Sequence, residues 1–204
     1  MADARPTGKL TTGAIGNFLL GGAMALMVLS GAVGALTGGG GGEGAGILGL
    51  IAFLFIVGGG ITGGIGWFGL GSLYGGTNVL AGVFSIIFAV VPIALIVLGT
   101  SGGMGGGMGM AKIIILLVFL VPGLLGLLGG LGVMKGNSGM AKPAGIVTLI
   151  GGLATAAVGV IIVFMPEMVI SSAGLISILI YVGFFGLAVG FFLVGAAMLG
   201  ERTA

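Results

Sequence analysis

The chain has no histidine and no cysteine in 204 residues. Their absence removes haem or chlorophyll ligation by histidine, thiolate chemistry, zinc sites of the usual kind and any Ser-His-Asp triad. Charge is almost as scarce, with six basic and four acidic side chains. They are Asp3, Arg5, Lys9, Glu43, Lys112, Lys135, Lys142, Glu167, Glu201 and Arg202, and each falls at the end of an apolar run or in a connection. Ionisable groups within a membrane mark proton relays, ion paths and voltage sensors, so a chain without them at mid-depth is not expected to be an ion-coupled pump by itself. Glu43 and Glu167 form no recognisable acid–base pair, and no catalytic constellation can be assembled, so an enzyme is not expected. There is no basic patch for nucleic acid.

What the chain does have is apolar surface and glycine: 58% hydrophobic residues, 50 glycines and a mean hydropathy of +1.40. A soluble domain does not look like this, and the composition predicts an all-α integral membrane protein. Spanning takes about 20 apolar residues. Six such segments run approximately over 14–36, 47–72, 78–99, 112–134, 143–165 and 174–199, giving a six-transmembrane-helix bundle of Gly-rich helices in a single polytopic domain, residues 1–204. The first segment is too long for a signal-peptide core and is expected to be retained. Two glycine stretches, TGGGGGEGAG before segment two and TSGGMGGGMGM before segment four, read as flexible loops.

Basic residues stay on the cytoplasmic side. With the N-terminus inside, Arg5, Lys9, Lys135, Lys142 and Arg202 are inside and Lys112 is outside. Both termini are then cytoplasmic, and the glycine loops and the short Pro166–Glu167 turn face out.

The stretch GGGITGGIGWFGLGSLYGG, residues 58–76, organises the packing. At 100° per residue Gly59, Gly63 and Gly66 share one side of a helix, while Gly60, Gly64 and Gly71 share another about a third of a turn away. In membranes such strips let neighbouring backbones approach, so this helix is expected to be clamped between two others. An offset of 63 residues carries Gly60, Gly63, Gly66 and Gly69 onto Gly123, Gly126, Gly129 and Gly132, and AGVFSIIFA onto AGIVTLIGG. Segments two and three then repeat as four and five, and segments six and one complete three helical-hairpin repeats. On segment four Gly123, Gly126, Gly129, Gly130, Gly132 and Gly136 occupy the protein-facing half, and Leu124, Leu127, Leu128 and Leu131 the lipid-facing half. Close packing is the first reading of these strips. A groove for a bound lipid, a quinone or a carotenoid is the second, and no other cofactor is expected.

Polar side chains in the spans are Asn17, Ser30, Thr62, Ser85, Thr148, Thr155, Ser177 and Tyr181, expected to bond their own or a neighbouring helix. Trp67 and Tyr74, near the inner end of segment two, read as interfacial anchors. Pro92 and Pro122 are expected to kink segments three and four. GGMGGGMG at 102–109 has the glycine density of a phosphate cradle but neither a preceding strand nor a Gly-Lys-Ser/Thr ending. Met104, Met108 and Met110 are soft thioethers suited to Cu(I), a low-ranked alternative to Met as flexible filler.

From Ala144 to Gly200 the chain runs as a Gly-rich helix, Pro166 at the outer turn, a second Gly-spaced helix, then Glu201 and Arg202. This pattern resembles the repeated two-helix unit of the HdeD-like acid-resistance membrane protein family. The resemblance implies a six-span inner-membrane protein of a prokaryote with a non-enzymatic, stress-related role. The missing catalytic chemistry and the abundant close-packing glycine surface make the leading expectation a non-catalytic structural, accessory or scaffold subunit of a larger membrane assembly, or a homo-oligomer. Its partners would be membrane lipids and other integral membrane subunits. The alternatives are a carrier or channel for a small neutral or hydrophobic molecule, and a Met-rich copper-handling protein.

Overall fold

A computed structural model describes residues 6–36, 43–100 and 108–203. Its helices are α1 (Thr7–Leu36), α2 (Glu43–Tyr74), α3 (Gly76–Thr100), α4 (Met108–Val133), α5 (Ala141–Phe164), α6 (Pro166–Ser171) and α7 (Ala173–Glu201). Six of them, all but α6, are long and apolar enough to cross a membrane, and the fold is a multi-pass helical bundle. Among the described residues there is no strand. In lipid every backbone group must bond within its own segment, which is why so glycine-rich a chain still forms helices of 24 to 32 residues.

The helices overrun the expected spans at their polar ends. α1 begins at Thr7, α2 at Glu43 and α4 at Met108, so the ends of both glycine stretches are helical. The remainder of those stretches, Met104 included, lies outside the described residues. Met108 and Met110 open α4. The connection at Pro166 is longer than a turn: it winds into α6 before α7 starts.

Each spanning helix lies against the next, α1 on α2, α2 on α3, α3 on α4, α4 on α5 and α5 on α7, and α7 closes back on α1. The result is a ring of six antiparallel neighbours. We call the end with the α2–α3 turn, the α4–α5 loop and Glu201 basal, and the other end apical. Lys9, Lys135, Lys142 and Arg202 are basal, and Lys112 and Glu167 are apical. The α2–α3 turn is a single residue, Gly75, at φ +94°, where a side chain would be strained. Its N–H donates to the carbonyl of Gly71 over 2.9 Å, an αL helix ending that reverses the chain at once.

Glycine sets the closeness of the seams. On α2, Gly59, Gly63 and Gly66 lie against Leu20, Gly16 and Gly13 of α1, while Gly60, Gly64 and Gly71 lie against Ala89, Gly82 and Val79 of α3. On α4, Gly123, Gly126 and Gly130 lie against Ala156, Gly152 and Leu149 of α5. Gly129 and Gly132 face Trp67 and Asn78. The 63-residue offset carries Gly60, against α3, onto Gly123, against α5, and Gly69, against α1, onto Gly132, against Asn78 of α3, as equivalent hairpins would be. Gly66, by contrast, meets Gly13 of α1, whereas Gly129 meets Trp67 of α2. Leu131 is exposed as expected of the lipid side, but Leu128 packs on the core.

Trp67 is not an interfacial anchor. It is fully buried at the ring axis, because it falls between the strip of α2 that meets α1 and the strip that meets α3.

Candidate functional site

Side chains that point to the axis stack in three layers. The middle layer is solid: Leu20, Met24, Leu125, Leu187 and Phe191 are each fully buried and belong to one apolar cluster.

Apical to it lies an apolar chamber of about 140 Å³ lined by Met27, Ile56, Phe88, Val91, Pro92, Leu95, Val118 and Phe184. That volume holds a benzene-sized group and stays dry when its walls are aliphatic and aromatic. Both helix-interior prolines lie at this level. Pro92 lines the chamber, and Pro122 stands one turn from Val118. Proline supplies no N–H to the carbonyl four residues back, so α3 at Phe88 and α4 at Val118 each lack one rung. Val91 and Leu95 are shared with a groove of about 240 Å³ between α3 and α4, whose other walls are Ile86, Ile87, Val90, Ala94 and Leu117. Met27 and Phe184 are shared with a third space, about 190 Å³, between α1 and α7, where Tyr181 and Ser177 add two hydroxyls. The chamber thus shares one wall with a groove on each flank of the ring.

The basal layer is polar. Glu201, the last residue of α7, is buried, and its carboxylate accepts from the Tyr74 hydroxyl and from the Ser138 backbone N–H at 2.6 Å. The Asn137 amide donates to the Tyr74 oxygen at 3.4 Å, and Lys135 Nζ donates to Thr77 Oγ1 at 3.1 Å. These bonds tie α2, α3, the α4–α5 loop and α7 together. A carboxylate at a helix C-terminus opposes the helix dipole, and here an N–H from a different segment offsets that penalty. The sequence places Glu201 at a charged tail. The missed signal was the aromatic-amide set, Tyr74 and Asn137, at the same end of the bundle.

Above this layer stand Asn17, Trp67 and Asn78, all fully buried. Asn17 Nδ2 donates to its own helix at Gly13 O, 2.8 Å, and reaches Met198 Sδ at 3.5 Å. Asn78 Nδ2 donates to Gly132 O at 3.3 Å. Asn17 Oδ1, Trp67 Nε1 and Asn78 Oδ1 have no partner, and each such atom costs about 1–3 kcal/mol.

Thr62, Thr148, Thr155 and Ser177 bond carbonyls four residues back, and Ser85 bonds Gly60 O across the α2–α3 seam at 2.8 Å. Among the described residues no three His, Cys, Asp or Glu side chains gather as for a metal.

Comparison with known proteins returned no matching family model, no matching curated protein and no matching solved structure. The site must be read from its own residues.

Proposed function

We propose that this chain is a non-catalytic carrier or binding protein for a small apolar molecule, or the tail of a lipid, taken laterally from the bilayer into the apical chamber. The observation that carries this is an entirely apolar chamber whose wall at Val91 and Leu95 is shared with the α3–α4 groove. A linear or ring-shaped hydrocarbon group matches an entirely apolar lining, whereas an ion or sugar would leave its polar groups unpaired there.

The reading as an accessory subunit packing through glycine faces has less to stand on, because those faces are filled by the chain's own helices. Among the described residues the glycines with nothing against them are Gly8, Gly46, Gly49, Gly75, Gly76, Gly109, Gly139 and Gly174, all at or near helix ends. The surface left for lipid or for another subunit is bulky and aliphatic, with Leu54, Ile61, Ile96, Ile150, Leu153 and Ile178 well exposed. Four of the five basic residues in the described segments are basal, which supports cytoplasmic termini in a prokaryotic inner membrane. The HdeD-like pattern over 144–200 agrees with a role that is not enzymatic.

The test is extraction of small molecules from purified full-length protein and from Val91→Trp, which fills the chamber, followed by mass spectrometry. A specific apolar compound retained by the wild type and lost in the variant supports the reading. Identical bound material in both would end it.

A further inference from the structure

Unlike the chamber and the α3–α4 groove, whose linings are wholly apolar, the space between α1 and α7 carries hydroxyls. Met27 and Gly31 of α1 face Ser177, Tyr181 and Phe184 of α7 across a groove of about 190 Å³. Ser177 and Tyr181 are four residues apart, so one face of α7 presents both to the same groove. Ser177 Oγ donates to Ala173 O at 2.9 Å, which leaves its lone pairs to accept. The Tyr181 hydroxyl has no hydrogen-bond partner among the described residues. It lies over Gly31, where a Cβ would stand 3.5 Å from the oxygen, and the missing side chain there keeps the groove open. No charged residue lines the groove.

Depth gives the groove a direction. α7 has 29 residues, about 43 Å of helix, roughly 13 Å more than the hydrocarbon core it would cross. Ser177 and Tyr181 lie about 6 and 12 Å along α7 from its apical start, and helical side chains lean toward the N-terminus. The two hydroxyls therefore stand near the apical boundary between headgroups and hydrocarbon. Met27 and Phe184 lie deeper on their helices than Gly31 and Tyr181 and continue the groove inward as bare apolar wall.

We propose that this groove is a binding site for an uncharged amphiphile, held by its head: a carbonyl or hydroxyl oxygen accepts from the Tyr181 O–H, and the attached ring or chain runs inward along Met27 and Phe184. An ionised carboxylate or phosphate does not suit it, because no cation in the lining offsets the desolvation of a charge. The volume exceeds that of a cavity which takes up benzene, so a ring with a short substituent fits, as does a polar head with its first methylenes. The site shares only Met27 and Phe184 with the apical chamber, and it stands whether or not the chamber takes up hydrocarbon.

Tyr181 is one of two tyrosines, so fluorotyrosine labelling gives a ¹⁹F signal at the proposed contact, assigned by its loss in Tyr181→Phe, and a reference signal at Tyr74. The experiment titrates full-length protein in lipid nanodiscs with n-decane, 1-decanol and a decyl-substituted benzoquinone. At least one oxygenated probe should shift the Tyr181 signal saturably, at a mole fraction about three- to tenfold below that needed for decane, as one hydrogen bond gives. The Tyr74 signal should stay fixed. The same response to all three probes means a plain hydrocarbon hollow, and a shift without saturation means partition into lipid; either overturns the proposal. Ser177→Ala sorts the heads: it should weaken the alcohol, which donates to Ser177, and spare the quinone, which has no proton to give. Gly31→Leu fills the groove and should abolish the saturable shift; its persistence in the folded variant would overturn the site. Val91→Trp, which fills the chamber, should leave the titration unchanged. Loss of the shift there would place the bound molecule in the chamber and overturn this inference while supporting that reading. If Gly31→Leu does not fold, the comparison of probes on the wild type, which needs no substitution, still decides.

Discussion

Gly13 of α1 and Gly66 of α2 meet backbone to backbone, and a Cβ on either would overlap the other's Cα. Nothing can yield there except the helices themselves. Gly66→Ala should therefore destabilise the bundle by about 1–3 kcal/mol, and Gly126→Leu, whose Cβ alone would stand 2.7 Å from Gly152 Cα, should prevent assembly of the fold. Gly49→Ala is the control: it has open space around it, and the better helix former should leave stability equal or slightly higher. Reversible unfolding in mixed micelles reads all three. Equal effects at Gly66 and Gly49 would refute the packing argument.

Glu201 is expected to hold the basal end shut. Glu201→Ala leaves the Tyr74 hydroxyl and the Ser138 N–H to find other partners, at a cost of about 1–3 kcal/mol. Tyr74→Phe removes only the hydroxyl. A double-mutant cycle should show that the two substitutions are not additive, with a coupling of about 0.5–3 kcal/mol, as residues in one hydrogen-bond network give. Additive losses would mean that the carboxylate does its work through the loop alone.

The class of fold was legible because composition and hydropathy overwhelm every other signal: six apolar runs with charges only at their ends leave one architecture for a membrane. The closed order of the ring was not. A glycine strip says that something lies close, and it does not say which helix. The 63-residue match illustrates this, since it pairs Gly66, which meets Gly13 of α1, with Gly129, which meets Trp67 of α2. Trp67 was misread for a related reason. Its position along α2 suits an interface anchor, and only the two strips on either side of it, facing α1 and α3, turn it to the axis. Glu201 reads from the sequence only as a charged segment end, because burial at a helix end depends on a loop from elsewhere in the chain.

Gly129 offers a direct probe of that burial. A Cβ there would stand 2.9 Å from Cη2 and 3.0 Å from Cζ2 of Trp67, and a rigid indole cannot bend away as a flexible chain would. Gly129→Ala should displace the ring and move the emission maximum of the single tryptophan. Gly109→Ala, in open space at the apical end of the same helix, should not. An unchanged spectrum in Gly129→Ala would contradict the contact.

Two truncations separate the empty chamber from the solid layer beneath it. Leu125 is fully enclosed, so Leu125→Ala should leave an unfilled hole and cost about 2–5 kcal/mol. Phe88→Ala removes more atoms and would cost about 3–5 kcal/mol in a sealed core. Phe88, however, lines a chamber that shares the Val91–Leu95 wall with the α3–α4 groove, and the proposed lateral entry runs through that wall. A hydrocarbon tail can occupy the added volume, restoring the lost dispersion contacts. Phe88→Ala is therefore expected to be the milder of the two in lipid, and its stability should rise on adding a short alkane or benzene, while that of Leu125→Ala stays fixed. If Phe88→Ala is the more damaging and does not respond to hydrocarbon, the chamber is closed to the bilayer and lateral entry is wrong.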